Sequence, residues 1–120
     1  MIGKLTTHVL DTSKGKPAGQ MVIELWKYNQ TDENFIKIKE CRTNVDGRVD
    51  KPLLEGEEFE VGIYELVFRV ADYYKGEGKK VDEYPFLHIV PIRFGIGNRK
   101  EHYHVPLLIA PGGYSTYRGS

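Results

Sequence analysis

The chain has 120 residues, a length that reads as a single domain, residues 1–120, with enough interior to form a core without covalent staples. Its 17 basic and 17 acidic side chains cancel, so no broad field draws it to nucleic acid or to an anionic membrane. The single cysteine, Cys41, excludes an internal disulfide, and no stretch approaches the roughly 18 apolar residues of a membrane helix.

The opening MIGKLTTHVLD lacks the apolar core of a signal peptide, so a cytoplasmic location is expected. A first strand is expected over Lys4 to Leu10, with Leu5 and Val9 on one face and Thr6 and His8 on the other. KGKPAG (Lys14 to Gly19) reads as a turn, and MVIELWKY as a strand setting Met21, Ile23 and Leu25 opposite Glu24. The Asn29–Thr31 tripeptide NQT matches a glycosylation acceptor that is silent without secretion. FIKIKE alternates Ile36 and Ile38 against Lys37 and Lys39, and the Asp46–Gly47 pair in NVDGR marks a tight turn.

Farther along, YELVFRV sets Tyr64, Leu66, Phe68 and Val70 against Glu65 and Arg69. One short helix is expected around ADYYKGEGKK, limited by its glycines. A strand over His88 to Phe94, a turn at FGIGN and a strand over Glu101 to Leu108 follow. In the last, Tyr103, Val105 and Leu107 share a face and His102 and His104 take the other. Many short strands with little helix predict an all-β, antiparallel β-sandwich with one short helix.

His8 and His104 both point away from the side chains that form the expected core, and the ordinary reading of each is a solvated surface histidine. His102 and His104, two apart on a strand, could chelate zinc, but structural zinc sites usually take four ligands including cysteine, so no metal is assigned. Arg48 reads as an exposed arginine after a turn and Arg118 as part of a loose tail. Together they would supply planar, bidentate donors for carboxylate or imide-like oxygens. No nucleophile elbow surrounds Ser115, GEGKK lacks the spacing of a phosphate loop, and Cys41 reads as a small strand residue. The tail GYSTYRGS places two tyrosines and an arginine where chains usually fray. The residues by themselves define a β-sandwich with a candidate His/Arg surface site and name no substrate.

Three blocks, LTTHVLDTSKGKPAG, TNVDGR and HYHVPLL…YSTYRGS, resemble in order the 5-hydroxyisourate hydrolases, the transthyretin-related proteins of urate breakdown. The terminal YRGS is the most specific element, since it separates these hydrolases from transthyretin, the hormone carrier of the same fold. The resemblance implies a transthyretin-like (prealbumin-like) sandwich assembled as a homotetramer, with active sites in clefts between dimers. It also implies a small-molecule substrate and neither metal nor other cofactor. It carries catalytic roles onto His8, Arg48 and His104, and substrate binding onto Tyr117, Arg118, Gly119 and Ser120. The implied reaction opens 5-hydroxyisourate at a cyclic amide to 2-oxo-4-hydroxy-4-carboxy-5-ureidoimidazoline. A non-catalytic small-ligand carrier of the transthyretin type is the alternative.

Overall fold

A computed structural model describes residues 2–119. The strands are β1 (Leu5–Asp11), β2 (Lys16–Pro17), β3 (Val22–Asn29), β4 (Asn34–Arg42), β5 (Gly62–Phe68), β6 (Val90–Ile96), β7 (Tyr103–Ala110) and β8 (Gly113–Thr116). One α-helix, α1 (Val70–Gly76), joins β5 to β6, and a 3-10 turn spans Gly56–Glu58. The strands form two four-stranded sheets, ordered β2-β1-β7-β8 and β4-β3-β5-β6.

Alternation decides which face of each sheet turns inward. In β1, Leu5, Thr7, Val9 and Asp11 are buried while Thr6, His8 and Leu10 are half-buried on the opposite face. β7 repeats this with Tyr103, Val105, Leu107 and Ile109 inward. Met21, Ile23 and Leu25 come from the facing sheet, as do Tyr64, Leu66 and Phe68, and together they close one hydrophobic core. Each such side chain contributes about 1.5–3 kcal/mol by leaving water.

The expected sandwich is the observed one, with several differences of detail. β1 and β7 run parallel, in register Leu5↔Tyr103 through Asp11↔Ile109, whereas the other strand pairs are antiparallel. β2 falls inside the stretch expected to be all turn, and β8 inside the tail. β6 and β7 each begin and end two residues later than expected, so β6 runs into the FGIGN segment. In β4 a register shift opposite Leu25 and Trp26 interrupts the alternation of FIKIKE. Lys39 therefore pairs with the core residue Leu25, while Ile36 and Ile38 both stay exposed. Val70 leaves the β5 pattern and starts α1 one residue before the expected helix, which ends at Gly76 instead of running to Lys80.

Seven residues make too short a helix to persist alone. Side chains hold α1 in place: the Tyr73 and Tyr74 hydroxyls donate to the buried Asp11 carboxylate at 2.9 and 3.2 Å. Asp11 also accepts from the Ser13 N–H and hydroxyl, and it ends the strand that carries His8. The helix is thereby tied to the sheet that bears both outward histidines.

Candidate active site

The parallel register of β1 and β7 sets Thr6 beside His104 and His8 beside Pro106, so both histidines emerge on the outer face of one sheet. Each is half-buried. The Thr6 hydroxyl lies 2.8 Å from His104 Nδ1. His8 Nε2 lies 2.9 Å from the Asp46 carbonyl oxygen, which can only accept, so that nitrogen carries a proton.

Arg48 arrives through the turn that follows β4. Gly47 has φ +74° and donates to Asn44 O at 2.9 Å, while Asn44 N–H donates to Arg48 O at 2.7 Å. The turn does not join two neighbouring strands of a sheet. It docks on the edge of β1: Val9 N–H donates to Gly47 O at 2.8 Å, and Arg48 forms a bridge with His8. Leu54 bridges Leu5 on the same edge. A β-carbon on Gly47 would stand 2.3 Å from Val9 O, which explains glycine at this contact independently of its positive φ. Burial first, then the neighbouring charges of Arg48 and His8, hold the His104 pKa below its ordinary 6.5.

The tail returns to the same place. Gly119 N–H donates to His104 O at 2.8 Å, pairing the two residues in an isolated bridge. A β-carbon on Gly119 would lie 2.6 Å from His104 Cδ2, so the tail backbone rests against the imidazole. His8, Arg48, His104 and Gly119 are thus brought together. Arg118 is engaged elsewhere: Nη2 donates to Glu101 Oε1 at 2.9 Å and to His102 O at 3.0 Å, with the guanidinium 4.0 Å over the Tyr103 ring. Tyr117 is 61% exposed and, with Arg118, lines a cleft of about 410 Å³ between β6 and β8. Ser120 lies outside the described residues.

Thr6 and Asp46 are the partners that sequence reasoning missed. Thr6 shares a face with His8 in the alternation, but the β1–β7 register that sets it against His104 is a tertiary fact. His102 accepts a hydrogen bond from Lys4 N–H at Nδ1, 3.2 Å away, apart from the ring of His104. Among the described residues no group of three or more His, Cys, Asp or Glu side chains could hold a metal ion. Cys41 is half-buried, and burial raises its thiol to about 11, an inert value for a nucleophile at neutral pH. A cavity of about 140 Å³ beside the site is lined by Thr6, Thr7, Arg48, Val49, Lys51 and Leu53. A larger concavity, about 660 Å³, lies on the other sheet among Lys27, Ile36, Ile38, Val61 and Ile63 and includes neither histidine.

A family model described as HIUase/Transthyretin matches residues 5–119. The chain belongs to the HIUase/Transthyretin family. Within this family the chain is similar to a 5-hydroxyisourate hydrolase of Halalkalibacterium halodurans, 57% identical over 120 residues and covering all of both chains. The crystal structure of an (S)-allantoin synthase superposes with a TM-score of 0.91 at 46% identity over 99% of this chain, which spans 44% of that longer one. Sea bream transthyretin in complex with thyroxine superposes with a TM-score of 0.86 at 25% identity, covering 97% of this chain and 94% of that one. The HIUase/Transthyretin fold is therefore common to hydrolase and carrier, and the fold by itself does not choose between them.

Proposed function

We propose that the chain is a 5-hydroxyisourate hydrolase of urate degradation and that His104, His8 and Arg48 are its catalytic residues. The reaction converts 5-hydroxyisourate and water to 2-oxo-4-hydroxy-4-carboxy-5-ureidoimidazoline. The observation that carries this reading is the full-length 57% identity to a hydrolase, against 25% to a thyroxine-bound carrier. The meeting of two histidines and an arginine on one sheet face agrees with it.

The chemistry follows from those groups. A neutral imidazole takes a proton from water as the water oxygen bonds to the cyclic amide carbon. His104 suits this role because its lowered pKa keeps it neutral at pH 7. Negative charge grows on the carbonyl oxygen, and the Arg48 guanidinium stabilises it. The carbon–nitrogen bond then breaks, the ring nitrogen takes the proton from the His104 imidazolium, and the new carboxyl group ionises. His8, oriented by the Asp46 carbonyl, sits beside this transfer and aids its proton handling. Gly119 lets the tail close on His104. Ring binding by Tyr117, Arg118 and Ser120 is supported by the family resemblance alone, since Arg118 is tied to Glu101 and the His102 carbonyl.

The protein works as a cytoplasmic homotetramer. The 140 Å³ cavity beside the site is smaller than the roughly 300 Å³ at the small end of ligand sites, which agrees with a second protomer completing the walls. Urate oxidised in the cuvette by a urate oxidase supplies the short-lived substrate, whose decay is followed by ultraviolet absorbance. This protein should speed the decay and leave an optically active product, detected by circular dichroism. Decay at the spontaneous rate would overturn the hydrolase reading and favour the carrier.

A further inference from the structure

The hydrogen bond between Thr6 and His104 has a consequence for catalysis. We propose that Thr6 is a positioning residue that accepts the His104 Nδ1–H, so that the lone pair of Nε2 is left free to act as the base. The inference rests on the hydrolase reading above, and it names the tautomer and the group that selects it.

Three features of the site support it. First, the contact is set by backbone pairing: Thr6 and His104 are register partners in the parallel β1–β7 ladder, so the 2.8 Å approach costs no loop ordering. Second, the ring is also held on its other edge. The Gly119 backbone packs against Cδ2 and is itself tied to the His104 carbonyl at 2.8 Å. Nε2 and Cε1 are the ring atoms left outside these two contacts. Among the described residues no group hydrogen-bonds Nε2. Third, the direction of the bond suits both stages of the reaction. A hydroxyl oxygen accepts from Nδ1–H in the neutral ring and in the imidazolium alike, so nothing rotates when Nε2 gains its proton. If Thr6 donated instead, the proton of the neutral ring would sit on Nε2 and the base would be lost.

The charged and titratable groups around His104 come from two places in the fold. Those that act on its ring are His8 on β1 and Arg48 on the β4–β5 connection, while His102, on the approach to β7, is engaged with Lys4 N–H. None of them contacts Nδ1, so removal of the Thr6 hydroxyl acts on the tautomer without removing a charge.

Thr6→Val and Thr6→Ser separate the hydroxyl from the shape of the side chain. Outer partners that orient a metal-bound imidazole are typically worth about 10–100-fold, and the same order is expected for an imidazole base. Thr6→Val should therefore lower kcat by about that factor, with KM within about twofold, while Thr6→Ser keeps kcat within about threefold of the parent. Nitrogen-15 NMR of the His104 ring should show a protonated Nδ1 in the parent and in Thr6→Ser, and a mixed tautomer in Thr6→Val. This readout does not depend on turnover, and circular dichroism shows whether each variant is folded. An Nε2–H tautomer in the parent overturns the proposal, as does a folded Thr6→Val with parental kcat. His104→Ala is measured beside them. If it too is fully active, the hydrolase site itself is wrong, whereas loss in His104→Ala with parental Thr6→Val rejects the positioning role alone.

Discussion

At the scale of single residues, two groups have ionisation behaviour that can be tested. Burial, reinforced by Arg48 and His8, lowers the His104 pKa below 6.5. A base must be neutral, so the acid limb of kcat/KM should have its midpoint below pH 6.5. Replacing Arg48 with Gln removes one repelling charge and should move that midpoint upward, as well as slowing turnover. His104→Ala should cost about 10²–10⁴-fold in rate, the usual worth of general acid–base help. An unshifted acid limb in Arg48→Gln would mean that the two side chains do not sense each other in solution.

Asp11 is the other such residue. Burial by itself would raise its carboxyl, but hydrogen bonds from Ser13, Tyr73 and Tyr74 outweigh burial and take its pKa below 3.8. A depressed carboxylate stabilises the fold above its unfolded pKa, and that stability is lost as pH falls through the folded value. Burial first, then the Asp11 carboxylate, pushes the Tyr74 phenol up to about 12, so it remains a donor at any working pH. Asp11→Asn should cost about 1–3 kcal/mol at pH 7, measured by urea unfolding. The gap between parent and variant should narrow below pH 3.8, where the native carboxylate protonates. A gap independent of pH would show that shape, not charge, holds α1 at this point.

At the scale of elements, the turn after β4 couples stability to the site. Gly47 has φ +74° and stands where a β-carbon would meet Val9 O at 2.3 Å. Gly47→Ala should lose about 1–3 kcal/mol from the backbone conformation alone, with the collision adding to it. Because the same turn delivers Arg48 to His8, activity should fall further than stability explains. The check is turnover measured at a temperature where the variant is still folded by circular dichroism. Full activity in a destabilised variant would separate the turn from the chemistry.

At the scale of the whole molecule, the tail can be separated from the fold that carries it. β8 ends at Thr116, whose hydroxyl donates to Pro106 O at 2.7 Å, so truncation after Thr116 spares the strand and removes Tyr117 to Ser120. The truncated protein should sediment as the parent does and lose turnover. Dissociation would make the tail a structural clasp. The contacts that Gly119 makes with His104 argue for a direct effect on the site within one protomer.

Much of this protein is set by local rules that can be read along the chain. Strict alternation in KLTTHVLD and EHYHVPLL settles that His8 and His104 face outward, because a pleated strand has a period of two. Glycines limit the one helix, and Asp46–Gly47 specifies a turn. The resemblance of the three sequence blocks extended this to a family, which the match over residues 5–119 bears out. Tertiary structure decided the rest. Parallel pairing of β1 with β7 joins segments nearly a hundred positions apart, and no local pattern encodes that register. It is register that places Thr6 on His104, and docking on the β1 edge that sets Arg48, exposed as expected, beside His8. The shift in β4 shows the same limit from the other side: one bulge inverts an alternation that looked regular, because strand pairing depends on the partner as well as on the strand.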